Sequence, residues 1–256
     1  MKRNSDYKNA ALAALKGNWG KAVLATVIFM AVMYFTIGPY MYQTFKLQAF
    51  IQENMPQVSS SVSIGTAIRQ SMEASLSMAQ DPEYMAMQSK MSGSMGLYYL
   101  LLFFVVMPLF VGFCNALRKL LVQGDNAISG NMIKMATTGY WHKVWGMFLM
   151  NLFIFLWSLL FIIPGIVKTF SYAMTPFILE ERPDLGASEA IDHSRAMMKG
   201  HKFDLFWLLL SFIGWGFLCL FTFGIGYLWL IPYMQTSVAD FYEDVKADYE
   251  ANGGLI

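Results

Sequence analysis

Residues 203–239 read FDLFWLLLSFIGWGFLCLFTFGIGYLWLIPYMQTSVA, a run whose one charge is Asp204 at its edge. As a continuous helix it would be about 55 Å long, against roughly 30 Å for the hydrocarbon core of a bilayer. Thr222-Phe223-Gly224-Ile225-Gly226 supplies a break, because glycine frees the backbone to turn. The run therefore folds back, giving spans near 203–220 and 224–242. Three further runs, 22–45, 95–117 and 144–167, carry no charge at all, and about 20 apolar residues suffice for one crossing. The first two make one span each. In 144–180, Ile163-Pro164-Gly165 interrupts the helix, since proline removes a backbone donor; spans 3 and 4 fall at 144–163 and 166–180. The expected fold is an all-α membrane protein of six transmembrane helices arranged as three hairpins, a single polytopic domain over 1–256.

Composition agrees. Only 14% of residues are charged and 56% are hydrophobic, whereas a soluble domain has about 25% charged residues. A net charge of +1 offers no field for a nucleic acid. The basic N-terminal stretch and the long apolar run after it do not match a cleavable leader, so the first span is expected to remain. Basic residues set the orientation. With the N-terminus inside, fourteen of the 18 fall in inner segments, from Lys2 and Arg3 to Lys246. Lys46, Arg69, Lys90 and Lys168 are left outside or near the outer surface. Both termini are then cytoplasmic.

Glycine elbows precede the odd-numbered spans. Gly17 stands before span 1, Gly139 before span 3 and Gly200 before span 5. Each follows a stretch with apolar residues at helical spacing: Tyr7, Ala11, Ala14 and Leu15; Ile128, Met132, Met135 and Ala136; Ala187, Ala190, Ile191 and Ser194. The expectation is an internal repeat: an amphipathic helix lying in the inner interface (5–16, 127–138, 186–199), an elbow, then a hairpin. The first unit is longer by an extracytoplasmic insertion, 46–94. There, Ile64, Ile68, Met72 and Leu76 predict one helix near 63–79, with the rest an irregular loop. Its methionines lack His or Cys companions and read as packing residues rather than a soft-metal site.

From Ile163-Pro164-Gly165-Ile166 the chain continues through Ser194, Met198-Lys199-Gly200, Leu210-Ser211-Phe212-Ile213-Gly214-Trp215 and 222–229 to Pro232-Tyr233 and Phe241-Tyr242. With Ala14-Leu15-Lys16-Gly17-Asn18-Trp19, this order and spacing resembles an uncharacterised bacterial integral-membrane family catalogued as a domain of unknown function. More loosely it is similar to the membrane portion of some glycerophosphodiester phosphodiesterases. The resemblance implies a multi-pass protein of the bacterial inner membrane; it implies no activity, cofactor or catalytic residue.

The residues themselves offer little chemistry. His142, His193 and His201 sit in the elbows, and no HExxH, GxSxG or P-loop occurs. Cys114 and Cys219 lie in apolar runs and read as buried hydrophobes. The acidic group Asp240, Glu243, Asp244, Asp248 and Glu250 reads as a wet extension of span 6. One intramembrane cation stands out: Lys168, followed by Ser171, Tyr172 and Thr175 on the same helical face. Either Lys168 snorkels to an interface, or this stripe faces the bundle and contacts an anion or lipid headgroup. The function expected is a non-enzymatic lipid-interacting, scaffold or assembly module whose partners are membrane lipids. The alternative is a small transporter or channel with a site at the broken helices. No metal or cofactor is expected.

Overall fold

The computed structural model describes residues 2–55 and 63–254. Among them there are thirteen α-helices, one π-helical turn and no strand. Five helical stretches are long and apolar enough to cross a membrane: Trp19–Asn54, Pro82–Gln123, Tyr140–Leu160, Ile162–Glu181 and Lys202–Phe221. The protein is thus a multi-pass helical membrane protein. The chain divides into two compact units, Val32–Leu102 and the remainder.

In the unit Val32–Leu102, α2 (Trp19–Asn54) ends, α3 (Ile64–Ala79) stands alone in sequence, and α4 (Pro82–Leu101) begins. Stacked rings, Tyr40 on Tyr98, hold α2 against α4. The expected loop at 46–94 is corrected here: 46–54 and 82–94 are helical continuations of the first two spans. Its residues 56–62 lie outside the described residues. The reason is local. Gln, Glu, Met, Ala and Lys are good helix formers even where no apolar stripe marks them. At α4 the Asp81 carboxylate also accepts from the Glu83 and Tyr84 amides, with Pro82 in the first position. On α3 the stripe Ile64, Ile68, Met72 and Leu76 is solvent-exposed.

In the other unit, α5 (Met107–Gln123) continues α4 through a π-helical turn, Leu102–Val106. Pro108 has no N–H for the Phe104 carbonyl, and the Tyr140 hydroxyl donates to that carbonyl instead. Helix α6 (Ile128–Thr137) folds back along α5. They touch at Gly112, where a Cβ would lie 2.2 Å from the Met132 carbonyl oxygen. Helices α7 (Tyr140–Leu160), α8 (Ile162–Ser171) and α9 (Thr175–Glu181) form one hairpin, and α10 (Ala187–Met197) packs on α7 and α9. A second hairpin comprises α11 (Lys202–Leu210), α12 (Ile213–Phe221) and α13 (Tyr227–Ala251), turning over 222–226. Helix α1 (Asn4–Leu15) lies on α13 and α5.

Three expectations change. The first hairpin turns at Phe161, whose backbone is extended, and not at Pro164. Proline in the first turn of α8 removes no helical bond. Gly165 serves close packing, since a Cβ there would sit 2.1 Å from the Ser158 hydroxyl. Spans 4 and 5 are each broken, at 172–174 and 211–212. The three amphipathic helices also lack free apolar faces. Tyr7, Ala11 and Leu15 of α1, Ile128, Met132 and Ala136 of α6, and Ala190, Ile191 and Met197 of α10 are buried in the protein. Their stripes were read correctly, but protein rather than lipid covers them, because the apolar area of α5, α9 and α13 is nearer.

Candidate functional site

Charge is concentrated where α1, α5, α9 and α13 meet. Arg118 binds Glu181 at 3.1 Å and donates to Glu243, and its guanidinium lies 5.1 Å from the Tyr242 ring centre. Glu181 also accepts from Tyr242 (2.7 Å) and Lys246. Lys2 reaches Asp240 at 2.8 Å, and the Tyr7 hydroxyl donates to Asp244 at 2.6 Å. Burial, then Asp244, raises the Tyr7 phenol far above its ordinary pKa, so it remains a donor. Burial pushes the Asp244 carboxyl up, but hydrogen bonds from Tyr7 and the Lys2 amide outweigh it and hold the pKa below the usual range. Asp240, Glu243 and Asp244 are therefore not a wet extension but tie α13 to the N-terminal segment and to α5, whereas Asp248 and Glu250 remain nearly half exposed.

Lys143 is the second anchor. Its ammonium, 3% exposed, pairs with Glu180 and donates to the Met135 and Thr138 carbonyls at the end of α6. It locks the Gly139 elbow by satisfying the orphan carbonyls of a helix terminus.

The Lys168 stripe is only partly assembled. The Lys168 ammonium lies 4.5 Å from the Trp157 ring centre and 5.7 Å from that of Tyr172, a cation–π arrangement. Ser171 turns its hydroxyl back to the Val167 carbonyl. Thr175 belongs to α9, beyond the break, and is fully buried. The break arises because Pro176 cannot donate to the Tyr172 carbonyl, which accepts from the Thr175 amide instead (3.1 Å). Ser194 completes it: its buried hydroxyl donates to the Ser171 carbonyl (3.0 Å) and accepts from the Met174 amide (3.2 Å). This role was invisible in the sequence, where Ser194 counted as one more small residue on a stripe. Ser194→Ala is expected to lose about 1–3 kcal/mol by orphaning two buried backbone groups. Thermal unfolding in detergent measures it, and an unchanged midpoint would reject the bridge.

Lys168 lies on α8, which packs against α10 and α11, the helices on either side of the Gly200 elbow.

All three elbow glycines have left-handed backbones, with φ of 80° at Gly17, 60° at Gly139 and 96° at Gly200. Beside each lies a largely apolar groove. Leu12 and Trp19, flanking Gly17, join Trp215 and Trp229 around about 470 Å³. Trp141 and Trp145, following Gly139, join Phe103 and Phe148 around about 370 Å³. Gly200 itself, with Phe203, Phe206 and Ile166, borders about 360 Å³. None of the four stripe residues lines these three grooves. Among the described residues, no three of His, Cys, Asp and Glu gather as a metal-binding group.

The family model described as "Protein of unknown function (DUF975)" matches residues 1–249. The chain belongs to this family. No curated protein and no solved structure matches it, so the looser likeness to glycerophosphodiester phosphodiesterases finds no support there. The family brings no activity to the grooves or to the ion pairs.

Proposed function

We propose that this member of the family is a non-enzymatic, lipid-interacting module of the bacterial inner membrane, acting as a scaffold or assembly factor. The observation that carries this reading is the recurrence of an apolar groove beside each of the three elbows. Each groove is bordered by the first residues of the helix that leaves the elbow. Apolar recesses bordered by tryptophan, phenylalanine and lysine suit acyl chains near a headgroup boundary. The sequence repeat of helix, elbow and hairpin belongs to the same reading.

Six crossings, with both termini cytoplasmic, complete it. Helix α13 is more polar than the other five stretches, yet α1 is bonded to its second half through Lys2, Tyr7, Asp240 and Asp244. Two segments at the same end of a bundle are separated by an even number of crossings. On this reading the first half of α13 is the sixth span, and 46–94 is extracytoplasmic.

Native mass spectrometry of protein released from mild detergent tests the function. Phospholipid adducts that persist after collisional removal of the detergent are expected. A bare protein that instead supports solute flux in proteoliposomes would replace this reading with the transporter.

A further inference from the structure

The groove at the Gly200 elbow differs from the other two in its charge. Helix α8 forms one wall through Ile166 and Phe170, and α11 forms the other through Phe203 and Phe206. Lys199 and Lys202 border it at the elbow. Lys168, two residues from Ile166 and from Phe170, lies on the opposite face of α8, against Trp157.

Elsewhere in this unit the buried cations have partners. Arg118 has Glu181 and Glu243, Lys143 has Glu180, and Lys246 has Glu181. Among the described residues no carboxylate pairs with Lys168, Lys199 or Lys202. Arg195 has only the exposed Asp192, at 3.0 Å. Like charges gathered beside apolar walls repel one another and strengthen the field at the groove's mouth, because low-dielectric walls screen poorly. That arrangement is complementary to an anion carrying a hydrocarbon tail.

We propose that the groove between α8 and the α10–α11 elbow is a binding site for an anionic phospholipid, with its acyl chain against Ile166, Phe170, Phe203 and Phe206 and its phosphate headgroup at Lys199 and Lys202. The proposal rests on the lipid-interacting reading above and adds a headgroup preference and a place. The apolar walls choose the lipid over free phosphate, since the latter would leave them uncovered.

The test compares adducts of phosphatidylglycerol and phosphatidylethanolamine on the full chain by native mass spectrometry, from an equimolar mixture. The unaltered protein should retain phosphatidylglycerol preferentially. Lys199→Gln combined with Lys202→Gln should lower that preference by about tenfold or more, as expected for two basic residues near a headgroup, while phosphatidylethanolamine adducts persist. Lys168→Met, on the opposite face of α8 and outside the structural ion pairs, should leave the preference unchanged. An unaltered preference in the double variant overturns this site and leaves general lipid binding standing. Absence of both lipids from the unaltered protein overturns the underlying reading as well. Equal displacement of the lipid by inorganic phosphate at matched concentration also overturns it, because the walls would then contribute nothing.

Discussion

Lys143→Met is expected to destabilise the protein by about 3–5 kcal/mol, the cost of breaking a buried ion pair from one side. Glu180 of α9 would be left without its cation, and the Met135 and Thr138 carbonyls would lose their donor. The side chain of Lys143 is 3% exposed, so water cannot easily replace it. Adding Glu180→Leu should restore much of the loss, because removing both members of a buried pair is often near neutral. Recovery stays incomplete, since α6 still lacks a cap for its last carbonyls. Thermal unfolding of the single and double variants in one detergent measures both effects. If the double variant is no better than the single one, the coupling between Lys143 and Glu180 is absent.

Gly112→Ala should act through shape alone. The added methyl would meet the Met132 carbonyl oxygen at 2.2 Å and the Ala136 amide nitrogen at 2.9 Å. Both are backbone atoms of α6, so no rotamer change relieves them and the helix must move away. A loss of about 1–3 kcal/mol or more is expected for such overpacking. Gly130→Ala is the control. It lies within α6, where a Cβ meets nothing within 4 Å, and helix propensity there favours alanine by up to about 1 kcal/mol. Equal stability of the two variants would mean that α5 and α6 do not cross at Gly112.

Hydropathy and glycine made the transmembrane helices and the elbows readable, because both act over short distances. The elbow glycines mark themselves: a positive φ disfavours side chains bearing a Cβ, and all three adopt it. Ranges of the three amphipathic helices were legible from their i, i+4 pattern for the same reason. What covers those faces was not. Periodicity says that Tyr7, Ala11 and Leu15 share a side, but not whether lipid or Phe241 and its neighbours lie opposite. The helices through 46–54 and 82–94 escaped notice because polar helix formers leave no periodic signal. Lys168 stands out in sequence as an intramembrane cation, but its surroundings do not, because the packing of α10 and α11 on α8 sets them. Ser194 illustrates the same limit: its task is defined by a helix break twenty residues earlier.

The bonds that α13 makes have a bearing on how the chain is made. Lys2, Tyr7, Arg118 and Glu181 all find partners on Asp240, Tyr242, Glu243, Asp244 or Lys246. A ribosome delivers those residues after every other helix described here, so during synthesis Lys2 waits without Asp240, while Arg118 and Glu181 have only each other. Helix α1, although first out, has only part of its seat, on α5, until α13 arrives. The nascent protein is therefore closed by its latest segment gripping its earliest one. A truncation before residue 240 removes bonding partners from three helices, α1, α5 and α9, a state that membrane quality control can distinguish from the finished molecule.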